Sequence, residues 1–457
     1  MPLKFDVVAE EIIGTFENPD NGSGPMWCYG SPTIVRNNDR VFAAIPETDK
    51  DAKPLCNTRR RIFCRGADGK WELVYRADKT DEREPCPLVT LPGGRLIMSV
   101  NPAVSPRPAW GDGRIPHNCR PHLLEFSVLD PKQPPSQSMP VWAKEYEFTE
   151  HSYRGVAADH HTGEILLLNV IGYDGQTWTM RDSAGQWVKQ GYVGFPLRGA
   201  YPHLALRKGA AFMMAVSDVV EPNVEWRAHK RKVTGQEWDY DFRQLYFTWT
   251  PDIREHEFSP PLTVASRDET CGSIRNMDMW IAPDGAAHLV YIDRNVWHKF
   301  IRDEFFPGVP ISAELKYCVI EKGKVILRRT IARSIEGMFD EGKPRPTPTD
   351  IPDSKVPLLG FGPGYAALHA TADDRLILLC HAGCSDPKQP GAGGVYAMQL
   401  HPAAEDAPVK LDMKFPLGSF FTATVRNGTM PSDTIDLYGH GPEPNTIRYA
   451  QIKVTQQ

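Results

Sequence analysis

Apolar residues in this chain come in short runs, set in pairs around a small polar turn, and the unit repeats from one end to the other. Ser31-Pro32-Thr33-Ile34-Val35-Arg36 turns at Asn37-Asn38-Asp39 into Val41-Phe42-Ala43-Ala44-Ile45, and Leu88-Val89-Thr90-Leu91 turns at Pro92-Gly93-Gly94 into Leu96-Ile97-Met98-Ser99-Val100. The unit recurs around turns near positions 162, 208, 284, 373 and 427. Such pairs read as β-hairpins, and no long 3.6-residue apolar period competes with them, so the chain is expected to be all-β.

The seven units are spaced by 46 to 89 residues, and each interval holds two further apolar runs, such as Trp71-Glu72-Leu73-Val74-Tyr75 or Leu245-Tyr246-Phe247-Thr248-Trp249. That is the size of a four-stranded antiparallel blade with variable loops. The pattern therefore predicts a single domain over residues 1–457, a seven-bladed β-propeller, in preference to a β-sandwich. The seventh unit has a weak second strand, and Val7-Val8-Ala9-Glu10-Glu11-Ile12-Ile13 has no local partner. The N-terminal strand is thus expected to close the last blade, since an open sheet edge invites aggregation.

Composition narrows the function. With 457 residues, 41% of them hydrophobic, the chain can bury a large core, and a net charge of -5 leaves no basic footprint for nucleic acid. No apolar run approaches the length of a membrane span, and Met1-Pro2-Leu3-Lys4-Phe5-Asp6 lacks the apolar core of a leader, so no membrane partner is expected. Location follows the leader: secreted or periplasmic if one has been removed, cytoplasmic otherwise. Nine cysteines spread over this length do not make a small disulfide scaffold.

Two turns, Arg65-Gly66-Ala67-Asp68-Gly69-Lys70-Trp71 and Arg181-Asp182-Ser183-Ala184-Gly185-Gln186-Trp187, resemble degenerate Asp-box turns of sialidase-type propellers. They report scaffold: a polar turn with glycine, then an aromatic that packs between sheets. The seven units together with His151-Ser152-Tyr153-Arg154-Gly155 and Arg198-Gly199-Ala200-Tyr201-Pro202-His203 look more like the propeller-type polysaccharide lyases, such as ulvan lyases and rhamnose-glucuronate lyases. The resemblance implies cleavage of an acidic polysaccharide or oligosaccharide at a uronic acid by β-elimination, with His and Tyr as acid and base and an arginine facing the carboxylate.

Elimination needs a base for the proton beside the carboxylate, an acid for the departing oxygen and a cation to offset the carboxylate charge, for which the planar arginine fork is suited. In a propeller, residues just before the inner strands converge at one end of the channel. This nominates His117, His151, Tyr153, Arg154 and Tyr201 as catalytic, and Arg198, His203, Arg275, Asn276 and Tyr365 as substrate-binding. Tyr201 or Tyr153 serves as base or acid with His151 or His117 as partner, an arginine lowering the tyrosine pKa and Arg154, Arg198 or Arg275 as neutraliser. Trp27, Trp110, Trp178, Trp226 and Trp297 are candidates for stacking on sugars. No cofactor is required for this chemistry. Cys380-His381-Ala382-Gly383-Cys384 with Cys271 has sulfur and imidazole spacing suited to a structural zinc. Two rival readings remain: a sialidase-like or rhamnosidase hydrolase, although neither Asp159 nor Asp278 has an obvious carboxylate partner in sequence, and a non-catalytic glycan-binding propeller.

Overall fold

The short apolar runs become strands because each sheet is covered on both faces by its neighbours. In Gly155–Ala158, Ile165–Ile171 and Gly175–Arg181 nearly every residue is buried, whereas the outermost strand, Trp187–Val193, mixes buried and exposed positions. A computed structural model describes residues 3–27, 29–172, 175–236, 240–336, 362–383, 393–404 and 407–456. Among these it contains seven four-stranded antiparallel sheets.

The sheets follow one another in sequence, and their first strands are Ile34–Asn37, Leu88–Leu91, Gly155–Ala158, Gly199–Arg207, Ser273–Ile281, Gly362–Ala370 and Ser419–Thr422. Each first strand packs beside the next, and Ser419–Thr422 returns beside Ile34–Asn37. Leu3–Thr15 pairs antiparallel with Thr446–Gln456, so the seventh sheet draws strands from both ends of the chain. The Asp-box-like turns join the third and fourth strands of the first and third sheets. At the first of them, the Trp71 indole donates to Glu11 at 2.8 Å and meets the ring of Tyr449 edge-on.

The seventh unit departs from the expected hairpin. Its first strand stops at Thr422, and Thr424–Gly428 crosses the hub, where the Asn427 amide donates to the carbonyls of Pro32 and Leu88. Arg426 donates to Asp278 at 3.1 Å and to the carbonyl of Gly30 at 2.6 Å. Four other sheets, the first, second, third and fifth, are thereby tied to one segment of the seventh, because the amides of Thr90 and Ala158 also bond to it. Gly428 has a φ of 83°, and a Cβ there would lie 1.8 Å from the Thr90 carbonyl oxygen. Gly428→Ala is therefore expected to cost about 2–4 kcal/mol through left-handed strain and overpacking, read as a lower urea midpoint.

Three insertions stand on the rim. A small sheet of Ala103–Pro106, His117–Cys119 and Phe148–Thr149 belongs to the second sheet's loops. The fourth sheet carries the hairpin Val219–Val220 and Tyr240–Asp241 with the helix Val224–Thr234 between its arms. That helix is capped by Asn223, whose side chain accepts from the amides of Glu225 and Trp226, and it stops at left-handed Gly235. A second helix, Lys299–Phe305, leaves the fifth sheet and packs beside it. Among the described residues no helix is long and apolar enough to cross a membrane.

Candidate functional site

The segments leading into the first strands of the second, third and fourth sheets meet in one cavity of about 940 Å³. His151, Tyr153, Arg198 and Tyr201 line it, as the sequence nominated, together with Trp27. The rings form one cluster: Trp27 stacks on Tyr153 at 5.3 Å, His151 lies 4.5 Å from Tyr153, and Tyr201 stacks on Tyr29 at 4.4 Å. Tyr153 and Tyr201 have φ of 37° and 49°. Left-handed backbone in a bulky side chain costs on the order of 1–3 kcal/mol and collects where geometry serves function.

Behind His151 stands Glu84, which no sequence argument had nominated. Its carboxylate lies 3.2 Å from His151 Nδ1 and accepts from the Ser152 amide at 3.0 Å and the Ser152 hydroxyl at 2.5 Å. Burial alone would raise its pKa, but the hydrogen bond and charge of His151, with Arg154 and Arg83 nearby, hold it at about 2. An ionised carboxylate only accepts, so Nδ1 carries a hydrogen toward Glu84 and Nε2 is the ring nitrogen that Glu84 does not engage.

Tyr153 is fixed between Trp27 and Arg198, whose guanidinium lies 4.8 Å from the ring centre. The expectation that an arginine would lower a tyrosine pKa here is corrected. Burial pushes the Tyr153 phenol far up, the charges of Tyr201 and Asp218 add to it, and Arg198 offsets only part. Asp218, facing both Tyr153 and Arg198, is itself raised by burial. Tyr153 is consequently a neutral phenol.

The walls come from the rim insertions. The arch between Pro106 and His117 carries Arg107, Trp110 and Arg114, and Arg114 covers the Trp110 ring at 5.0 Å. Arg83 lines the same side, 3.6 Å from Glu150. Opposite them, Tyr240 and Phe242 project from a base in which buried Lys230 binds Asp241 at 2.8 Å and Arg243 binds Glu221. Four guanidinium groups therefore surround one cavity, an arrangement suited to an anionic ligand.

Other nominated residues fall elsewhere. Arg154 is 2% exposed and donates to the carbonyls of Glu84 and Pro85 and toward Glu82, so it braces the loop that holds Glu84 and does not line the cavity. Arg154→Met should lower stability by about 3–5 kcal/mol by breaking a buried pair. Unchanged stability with lost turnover would instead give Arg154 a part in the chemistry. His117 sits beside the lining Pro116 and bonds through its amide to Glu150. His203 is fully buried between the carbonyls of Tyr201 and Met277, and burial takes its pKa to about 3. Asn276 donates to the Tyr201 carbonyl at 2.8 Å and accepts from Tyr29, which makes it a support of Tyr201. Arg275 is exposed, 6.0 Å from the centre of the Tyr29 ring. Tyr365 is buried against Phe420, its phenol pushed well up by burial. Of the tryptophans, Trp27 and Trp110 line the cavity; Trp178 is core, Trp226 packs on Phe305 and Phe306, and Trp297 lies by Arg294.

The expected zinc ligands are not brought together. Cys271 is buried with Trp226 and Val296 and faces Arg243 at 3.1 Å, while Cys380 packs in the apolar core of the sixth sheet; Cys384 lies outside the described residues. Among the described residues no group of three His, Cys, Asp or Glu side chains is placed to hold a metal ion.

No protein-family profile matches the sequence, and no curated protein matches it. Among solved structures the chain is similar to the polysaccharide lyase Uly1, at 10% identity over 93% of this chain and 89% of that one, with a TM-score of 0.51. It is also similar to a protein of unknown function from Dyadobacter fermentans, at 12% identity over 99% of both chains and a TM-score of 0.46, and to the BP39L lectin of Burkholderia pseudomallei, at 9% identity over 93% and 96% and a TM-score of 0.48. The likeness to Uly1 is one of fold, a β-propeller of four-stranded antiparallel sheets.

Proposed function

We propose that the chain is a seven-bladed propeller whose cavity cleaves a uronic-acid-containing glycan by β-elimination. The observation that carries this reading is the ionised Glu84 behind His151, in a cavity where Tyr201 and four arginines face the same space. His151 Nε2 takes the proton beside the uronate carboxylate, and Glu84 holds the imidazole in the required tautomer. Arg198, deepest of the four, offsets the carboxylate charge as the carbanion develops. Tyr201, half-exposed in the cavity, gives its proton to the departing glycosidic oxygen, and the carbon–oxygen bond breaks as a carbon–carbon double bond forms. Tyr153 is a positioning residue that seats His151 and Arg198.

The likeness to a polysaccharide lyase is consistent with this reading at the level of fold. Two of the carboxylates at the cavity are already engaged within the protein, Glu84 by His151 and Ser152 and Glu150 by Arg83 and the His117 amide, while Glu147 lines the cavity as an exposed third. The test is ultraviolet absorbance during incubation with a panel of uronate polysaccharides, ulvan and rhamnose-glucuronate glycans among them, beside a reducing-sugar assay. Elimination gives rising absorbance with new reducing ends. Reducing ends without absorbance indicate hydrolysis, and silence in both indicates a binding propeller.

A further inference from the structure

The arch that walls the His151 cavity has a second cavity beside it. This one encloses about 950 Å³, and Glu147 lines both. It carries two half-buried rings, Trp142 at 5.1 Å and Tyr146 at 6.1 Å from Phe148, with the Lys144 ammonium 5.3 Å from the centre of the Tyr146 ring. Arg120 adds a second exposed cation, and Val104 and Met139 leave apolar surface open around the rings, at 52% and 46% exposure. None of these side chains belongs to the chemistry described above.

We propose that this cavity is a remote glycan subsite that grips the same polymer away from the bond being broken; the proposal rests on reading the His151 cavity as an acidic-glycan site. Aromatic faces with a wet edge take the apolar faces of sugar rings, and an ammonium and a guanidinium beside them take anionic substituents. Carboxylates such as Glu147 accept from sugar hydroxyls. Continuity selects the occupant: a chain held at one end by Arg107 and Arg114 has this groove next to it across the shared Glu147. The enzyme consequently prefers long chains, and the preference is separable from turnover.

The experiment compares wild type with Tyr146→Ala and Lys144→Ala, two residues on the open side of the groove. It uses retention in gels containing uronate polysaccharide, and KM and kcat on that polymer and on its short oligosaccharides. The expected result is weaker retention and a roughly 3- to 10-fold rise in KM for the polymer per side chain, with kcat and the short-substrate KM unchanged. Equal polymer KM in variants and wild type, or equal rises on short and long substrates, overturns the subsite. Retention that weakens in the variants without cleavage by wild type keeps the subsite and defeats the lyase reading. No retention of wild type by any uronate polymer defeats the subsite even if short substrates are cleaved.

Discussion

His151→Ala is expected to lower kcat/KM on an acidic glycan by about 10²–10⁴-fold, the usual contribution of a positioned general base. The imidazole is partly exposed to the cavity, but it is the main partner of the buried Glu84 carboxylate, so its removal is expected to lower the urea midpoint as well. Turnover is therefore compared under conditions where both proteins are folded. Glu84→Gln tests the other half of the pair. The Glu84 carboxyl is depressed from 4.5 to about 2, so it contributes stability at pH above its unfolded value, and that contribution is lost as pH falls through this window. Wild type should therefore lose stability between about pH 4.5 and pH 2 to a degree that Glu84→Gln does not. Equal acid unfolding curves, or a fully active His151→Ala, would remove the pair from the mechanism.

Tyr201→Phe is expected to cost about 10²–10⁴-fold in kcat, because it deletes the proton donor and keeps the ring that stacks on Tyr29 and packs on Trp27. Tyr153→Phe should cost less. Its phenol is held neutral beside Asp218, and the ring contacts with His151, Trp27 and Arg198 survive the substitution. Near wild-type turnover in both variants would end the assignment of either tyrosine, and a larger loss at Tyr153 than at Tyr201 would exchange their roles.

The sheets were legible because apolar pairs around Asn-Asn, Gly-Gly and Asp-Gly turns carry both strand period and turn chemistry locally. The hub crossing at Thr424–Gly428 was not, since its partners are main-chain groups and Asp278 on sheets far away in sequence. The rule that site residues precede inner strands led to His151, Tyr153 and Arg198, which line one cavity with Tyr201, a residue inside the strand Gly199–Arg207. It was misapplied to the second sheet, where the inner strand is Leu88–Leu91, and His117 begins a later strand. Applied to Leu88, the same rule points to Asp81-Glu82-Arg83-Glu84 and finds both Glu84 and Arg83. Arg154 was misread for a different reason: a guanidinium meant for ligand and one meant for carbonyl groups look alike until burial separates them. The walls, Arg107, Trp110, Tyr240 and Phe242, come from insertions whose placement depends on tertiary pairing and buried charge.

The most direct measurement is the mass of the first products released from a defined uronate oligosaccharide by the intact enzyme. Elimination predicts that the two product masses sum to that of the substrate, with the double bond on the uronate that becomes the new non-reducing end of the fragment from the reducing side of the cut. Products whose masses sum to that of the substrate plus one water would contradict the account and make this cavity a hydrolase site.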